Sequence, residues 1–296
     1  MPQVVTLIAN RGATSLTPAI IARVRDAVAG GEPVILSPGE AADILLDAAP
    51  DMAAVRGALD GAAIDAIATA EGTDRRKRLL VADMDSTIVT GETLDELADF
   101  AGLKPRIAAI TTRAMNGELD FKTALRERVA MLRGLPVDAL ERTWERVRLT
   151  PGARELVATM RAHGARCALV SGGFSFFTGR VAALCGFDLH RSNVLLDDGA
   201  ALTGLVAEPI LDRDTKLATL TGLAAELFLP ASATLAVGDG ANDLDMLRAA
   251  GLGVAFRAKP IVAAAAQARV DHADLRALLF AQGYRAAEFV GADDGT

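Results

Sequence analysis

The segment Val81-Ala82-Asp83-Met84-Asp85-Ser86-Thr87 sets two carboxylates two residues apart, directly after a short apolar run. By itself an Asp-x-Asp at a strand end suits a turn or a helix cap as well as it suits chemistry. A second acidic, glycine-rich turn, Gly238-Asp239-Gly240-Ala241-Asn242-Asp243, follows another apolar run, Leu235–Val237. Three or four carboxylates brought together without partners repel strongly. A hard divalent cation relieves that conflict, and Mg²⁺ is typically held by one or two carboxylates together with water and phosphate oxygens. A third apolar run ends in Ser171-Gly172-Gly173, which offers a hydroxyl and backbone N–H groups able to cradle an anion. Lys216, opening a helical stretch after Asp212-Arg213-Asp214-Thr215, adds a compact cation. Together these are the parts needed for phosphoryl transfer through a carboxylate nucleophile.

Such groups meet only if the elements carrying them end on one edge. The runs Leu79–Ala82, Cys167–Val170 and Leu235–Val237 are wholly apolar, as strands buried on both faces are, and helical patterns such as Ala153–Ala162 and Thr215–Leu227 lie between them. Repeated β-loop-α order predicts a doubly wound α/β core of parallel, Rossmann-like type, whose ligands bind outside the carboxyl ends of the strands. Between Glu92 and about Thr150 the apolar positions recur at helical spacing, through Leu94, Leu97, Ala98 and Ala101 and again through Leu125, Val129 and Leu132. This predicts a helical insertion, with Pro151 opening the helix that returns to the core. Asp197-Asp198-Gly199 predicts a β-hairpin. The first 75 or so residues alternate as βαββαβ, the order of a ferredoxin-like α+β unit. The expected division is therefore 1–75 for that unit, 76–90 with 151–296 for the core, and 91–150 for a helical cap.

The composition narrows the function classes. Of 296 residues, 31 are basic and 38 acidic, a net charge of −7, so the electrostatic footprint of a non-specific nucleic-acid binder is missing. The one basic block, Arg75-Arg76-Lys77-Arg78, reads as a solvated linker into a buried strand. There is no membrane-length apolar run and no secretory pattern at the N-terminus, which makes a cytoplasmic location the expectation. Cys167 and Cys185 are too few for a disulfide framework.

At this point the chain resembles a known family. Asp83-Met84-Asp85-Ser86-Thr87, Ser171, Lys216 and Gly238–Asp243 look like the four ordered motifs of the haloacid-dehalogenase-like phosphatase superfamily. Within it, Glu92-Thr93-Leu94-Asp95-Glu96, Met115–Phe121 and Leu125–Val129 are similar to phosphoserine phosphatases. The resemblance implies Mg²⁺-dependent hydrolysis of O-phospho-L-serine, the last step of serine biosynthesis. Asp83 would be the nucleophile that becomes an aspartyl-phosphate, and Asp85 the acid for the leaving serine oxygen and then the base for water. One Mg²⁺ would engage Asp83, the Asp85 carbonyl and Asp239, with Asp243 reaching it through water or orienting Lys216. Ser171, Gly172, Lys216 and Asn242 would hold the phosphoryl group. In the cap, Glu92 matches the ammonium partner, Arg128 the carboxylate partner, and Met115 and Phe121 the positions that shield the site from water.

On periodicity alone, Glu92 reads as a first-turn acid and Arg128 as a surface arginine. His163, before Gly164 near a helix end, reads as compensating the helix dipole, His190 and His272 have no metal-spaced partners, and Trp144 and Tyr284 read as packing residues. The N-terminal unit resembles small amino-acid-binding regulatory domains in topology alone, and reads equally as a docking or dimerisation module that would make the chain a homodimer. Two other functions compete: transfer of the phosphoryl group to an amino-acid hydroxyl such as that of homoserine, and a non-catalytic amino-acid sensor.

Overall fold

The structure, a computed structural model, describes residues 2–115 and 118–291, without the side chains of Thr112, Ala114 and Met115. The first six elements are β1 (Gln3–Ala9), α1 (Pro18–Ala27), β2 (Val34–Ser37), β3 (Ala41–Leu46), α2 (Met52–Leu59) and β4 (Ile64–Ala70). Their strands form an antiparallel sheet in the order β2-β3-β1-β4. Thr17 caps α1 by accepting the Ile20 N–H, with Pro18 at the first helical position, and Asp51 caps α2 through the N–H groups of Ala53 and Ala54. Val5, Leu7 and Ile44 of the sheet close on Ile21, Val24, Val55 and Leu59 of the two helices to make a small core of their own.

The chain then enters a larger sheet through β5 (Leu79–Ala82). An all-helical excursion follows, α3 (Thr93–Phe100), α4 (Lys104–Met115), α5 (Phe121–Ala130) and α6 (Asp138–Trp144). The core resumes with α7 (Ala153–Ala162), β6 (Arg166–Phe174), α8 (Ser175–Cys185) and β7 (Leu189–Asn193), then the hairpin β8 (Leu195–Asp197) and β9 (Leu202–Val206). It ends with α9 (Arg213–Glu226), β10 (Thr234–Gly238), α10 (Leu244–Ala249), β11 (Leu252–Phe256), α11 (Pro260–Ala265), β12 (Ala268–Val270) and α12 (Ala277–Ala281). The six parallel strands lie in the order β12-β11-β10-β5-β6-β7. β5 is central, with β6 on one side and β10 on the other, so the topological switch point lies at its carboxyl end.

Every residue of β5 and β10 is buried because helices cover both faces. On one face Leu79, Val81 and Ala236 pack with Leu220, Leu223, Met246 and Leu247 of α9 and α10. On the other, Leu80 and Leu235 share a core with Leu156 and Met160 of α7 and Val181 of α8. The helical excursion leaves and re-enters at one place: Val89 bridges Leu149, the Thr90 N–H donates to the Arg148 carbonyl at 3.0 Å, and the Thr150 N–H donates to the Ile88 carbonyl at 2.9 Å.

Two expectations need correction. Pro151 does not open α7; Gly152, at φ 82°, is its N-cap, and the proline stands one residue outside. The Gly152 Cα packs so close to Arg276 that a Cβ there would lie 2.8 Å from the Arg276 backbone nitrogen. Nor is the basic run solvated throughout: the side chains of Arg76 and Arg78 are 42% and 53% exposed, but those of Arg75 and Lys77 are drawn into the fold. Partly buried Arg75 forms an ion pair with Asp43 at 2.7 Å and also donates to Thr6 Oγ1, while buried Lys77 donates to the carbonyls of Asp74 and Ser232, both at 2.6 Å. These residues fasten the small sheet to the large one. Asp65 of β4 adds to this by accepting the backbone N–H groups of Asp271, His272 and Ala273 at 2.8, 3.1 and 2.8 Å. Among the described residues no helix is long and apolar enough to cross a membrane.

Candidate active site

Strand register brings the chemistry-bearing residues to one edge. Val237 of β10 pairs with Ala82 of β5, and Ala82 pairs with Leu169 of β6. Asp83 is therefore the first residue past β5, while Asp239 and Ser171 each lie two residues beyond the partners of Ala82. The Asp83 N–H donates to the Val237 carbonyl at 3.0 Å, which fixes the start of the turn.

Asp83 Oδ1 accepts from the Met84 N–H and from Lys216 Nζ, both at 2.8 Å. The same Nζ lies 2.5 Å from Asp243 Oδ1, and Asp243 Oδ2 accepts the Gly240 N–H at 2.9 Å. A Cβ on Gly238 would stand 2.3 Å from the Asp243 carboxyl carbon, so only glycine lets that carboxylate lie against the end of β10. Asp83, Asp239 and Asp243 each offer an oxygen, and these atoms lie within 4.8 Å of one another. Burial, and then the Asp243 charge, push Asp83 well above the usual carboxylate range in spite of Lys216. The same two causes raise Asp239 to about 6. Burial opposes the charge of Lys216, but Asp243 and Asp83 outweigh it and hold its pKa above the ordinary lysine value. One cation among three carboxylates leaves an all-oxygen donor set with excess negative charge, which fits a hard divalent cation such as Mg²⁺.

The Asp85 carboxylate points elsewhere. Ser86, at φ 56°, turns the chain sharply, and Asp85 Oδ1 accepts the Thr93 N–H at 2.8 Å while Oδ2 accepts from Ser171 Oγ at 3.2 Å. Burial first, and the charge of Glu92 second, push the Asp85 pKa up to about 6. Ser171 Oγ in turn accepts the Gly173 N–H at 2.8 Å. Ser171, Gly172, Lys216 and exposed Asn242 line a narrow pocket that Phe121 of α5 roofs. The Phe121 Cζ lies 3.2 Å from where a Cβ on Gly172 would stand, so the ring closes directly on that glycine.

The excursion supplies the remaining groups. Glu92 accepts from Ser86 Oγ at 2.7 Å, and its charge reaches Asp85, Asp239 and Arg128. Partly buried Arg128 donates from Nε to the Ala124 carbonyl at 3.3 Å; burial lowers its pKa, against the raising effect of Asp95 and Glu92. Met115 ends α4, and its side chain lies outside the described residues, as do Asn116 and Gly117. Two ion pairs tie α5 to the segment ahead of α9: Lys122 to Asp212 at 3.1 Å and Arg126 to Glu208 at 2.6 Å. Asp212 also caps α9 by accepting the Asp214 N–H. His163 closes α7 and packs on Tyr284 with ring centroids 4.9 Å apart.

Sequence reasoning passed over two residues that touch this edge. Buried Thr87 donates from Oγ1 to Asp239 Oδ1 at 3.2 Å, and buried Asn193 at the end of β7 donates to the Gly172 carbonyl. Neither residue type signals such a task; only the Asp-x-Asp-x-Thr spacing could have marked Thr87.

A model of the haloacid dehalogenase-like hydrolase family matches residues 80–248. The chain is 46% identical over 221 residues to phosphoserine phosphatase SerB2 of Mycobacterium tuberculosis, covering 75% of this chain and 54% of that protein. It is also 46% identical over 199 residues to the phosphoserine phosphatase of Streptococcus thermophilus, covering 67% of this chain and 93% of that one. The crystal structure of a probable phosphoserine phosphatase from Vibrio cholerae matches with a TM-score of 0.79 at 34% identity, covering 97% of this chain and 88% of that chain. The chain spans 54%, 56% and 59% of the relatives from M. tuberculosis, Streptomyces coelicolor and Archaeoglobus fulgidus. The matched region runs from β5 through α10 and so contains the ends of β5, β6 and β10, which carry Asp83, Ser171 and Asp239; the chain belongs to the haloacid dehalogenase-like hydrolases.

Proposed function

We propose that this chain is a cytoplasmic, Mg²⁺-dependent phosphatase that hydrolyses O-phospho-L-serine to L-serine and phosphate. The observation that carries the reading is the pairing of two differently placed carboxylates at one strand end. Asp83 is gripped by Lys216 at 2.8 Å among acidic neighbours, whereas Asp85 is held apart by Thr93 and Ser171 with its pKa raised to about 6. A carboxyl poised near neutrality is suited to give a proton and take one back.

In this reading the Asp83 carboxylate attacks phosphorus, and the bond from phosphorus to the serine oxygen breaks as Asp85 gives that oxygen its proton. Asp85 then takes a proton from water as the water attacks the aspartyl-phosphate, which frees phosphate and restores Asp83. Lys216, the Ser171 hydroxyl and the Gly172 backbone N–H hold the phosphoryl oxygens, with Asn242 at the rim. Mg²⁺ would be held by Asp83, Asp239, Asp243 and the backbone at Asp85, and would supply charge neutralisation for the phosphoryl group. Glu92 receives the substrate ammonium and Arg128 its carboxylate, while Phe121 and Met115 keep water out. Identity to relatives named phosphoserine phosphatases supports the choice of substrate.

We further propose the division 1–75, 76–90 with 151–296, and 91–150, and a ferredoxin-like architecture for the first part; the strand order β2-β3-β1-β4 with two helices supports it. The test of function is phosphate release from L-phosphoserine, with Mg²⁺ and with chelator, against sugar, nucleotide and aryl phosphates and with added homoserine. Metal-dependent release favouring phosphoserine and indifferent to homoserine is expected. Turnover of other phosphates alone would discard the roles of Glu92 and Arg128, and no turnover at all would discard the enzyme.

A further inference from the structure

Asn193, the last residue of β7, is 2% exposed and uses its whole amide. Nδ2 donates to the Gly172 carbonyl at 2.9 Å and to the Leu211 carbonyl at 3.2 Å, and Oδ1 accepts the Leu211 N–H at 2.8 Å. Two donors and one acceptor are spent on two loops. The first loop is Ser171-Gly172-Gly173; the second leads through Asp212, the cap of α9, to Lys216.

The bond to Gly172 has a particular reach. The Gly172 carbonyl and the Gly173 N–H belong to one peptide group, which is planar and turns as a unit. Asn193 holds its oxygen end, and its N–H end donates to Ser171 Oγ at 2.8 Å. With that lone pair engaged, the Ser171 proton is directed to Asp85 Oδ2, 3.2 Å away. A single side chain thereby sets the tilt of a peptide, the rotamer of a hydroxyl and the spacing between the two walls of the phosphate pocket.

We infer that Asn193 is the positioning residue of the phosphoryl pocket, acting through the Gly172-Gly173 peptide on Ser171 and through Leu211 on the helix that carries Lys216. The inference rests on the phosphatase reading above. An aspartate of the same shape cannot do this, because it would turn acceptor atoms toward two carbonyls that need donors.

The test is calorimetric titration of the full chain with inorganic phosphate in the presence of Mg²⁺, for the wild type, Asn193→Asp and Asn193→Ala. Stoichiometry reports the folded fraction and Kd reports the geometry of the pocket. Both variants should bind phosphate at least ~10-fold more weakly with unchanged stoichiometry, a loss of about 1.4 kcal/mol or more. Reduced stoichiometry at unchanged Kd would assign Asn193 to stability and overturn the proposal. A wild type that binds no phosphate would instead overturn the phosphatase reading. Should neither variant fold, the side-chain amide resonance of Asn193 in the wild type decides. It should shift on addition of phosphate, and a resonance that phosphate leaves unmoved would refute the positioning role.

Discussion

The Asp85 carboxylate accepts the backbone N–H of Thr93 at 2.8 Å, so the turn beyond the central strand is bonded to the first turn of the first helix of the helical excursion. The positive end of α3 favours the charged carboxylate, while burial and the neighbouring Glu92 favour the neutral one and win. Replacing Glu92 by Gln removes the second of those causes. In the metal-free protein the Asp85 carboxyl should titrate near 6 in the wild type and distinctly lower in E92Q, as read from its ¹³C shift. An unmoved midpoint would mean that burial alone sets it.

Lys216 stands between Asp83 and Asp243, 2.8 and 2.5 Å from their oxygens, and all three side chains are buried. Lys216→Met leaves two buried carboxylates facing each other without a cation. At pH 7.5 this should cost about 3–5 kcal/mol of folding stability in urea titrations, the usual range for removing one partner of a buried pair. The Asp83 pKa is already raised and would rise further, so the cost should shrink as the pH is lowered to 5. A penalty independent of pH would exclude carboxylate repulsion as its origin.

Asp83, Asp85 and Asp239 all have folded-state pKa values above their unfolded ones. Folding then takes up protons; the stability that Asp85 and Asp239 contribute is full below about pH 4 and is lost as the pH rises through about 6, and Asp83, raised further by burial and the Asp243 charge, acts in the same direction. Mg²⁺ would compete with protons for the carboxylate oxygens of Asp83 and Asp239. The increase in Tm on adding Mg²⁺ to the chelated protein should therefore be small at pH 5 and grow toward pH 7.5. A gain that falls over that interval would place the ion elsewhere.

Arg128→Ala removes a partly buried guanidinium whose charge is felt together with that of Glu92. The loss in kcat/KM for phosphoserine should be about 2–5 kcal/mol, the range for truncating one member of a buried charged hydrogen bond. An aryl phosphate, which has no carboxylate to bind, should lose far less. Equal losses on both substrates would assign Arg128 to the fold.

Which parts of this molecule could be read from the chain follows from how local their causes are. β5, β6 and β10 are legible because strands covered on both faces must be apolar throughout, and the helical excursion because its apolar positions keep one period. β7 is not, since Leu189–Asn193 lies at the sheet edge and carries exposed His190 and Arg191. The convergence of Asp83, Ser171 and Asp239 follows from the repeated strand-loop-helix order. The tasks of Asn193 and Thr87 do not, because an amide or hydroxyl is directed only by neighbours 18 to 152 residues away in the chain. The tethering of Arg75 and Lys77 is hidden for the same reason: their partners Asp43 and Ser232 come from other parts of the fold.

The paired ends of the helical excursion give the molecule a modular seam. Val89 and Leu149 sit side by side as bridge partners, so everything between them is a closed detour whose removal would leave two chain ends about one strand spacing apart. A short turn could join them without stretching the sheet or disturbing the order of its strands. Under the proposed function, substrate choice and bond-breaking would then be written in separable blocks of sequence. An exchange of the detour for a foreign one need only restore the apolar contact beneath it and a backbone donor for Asp85.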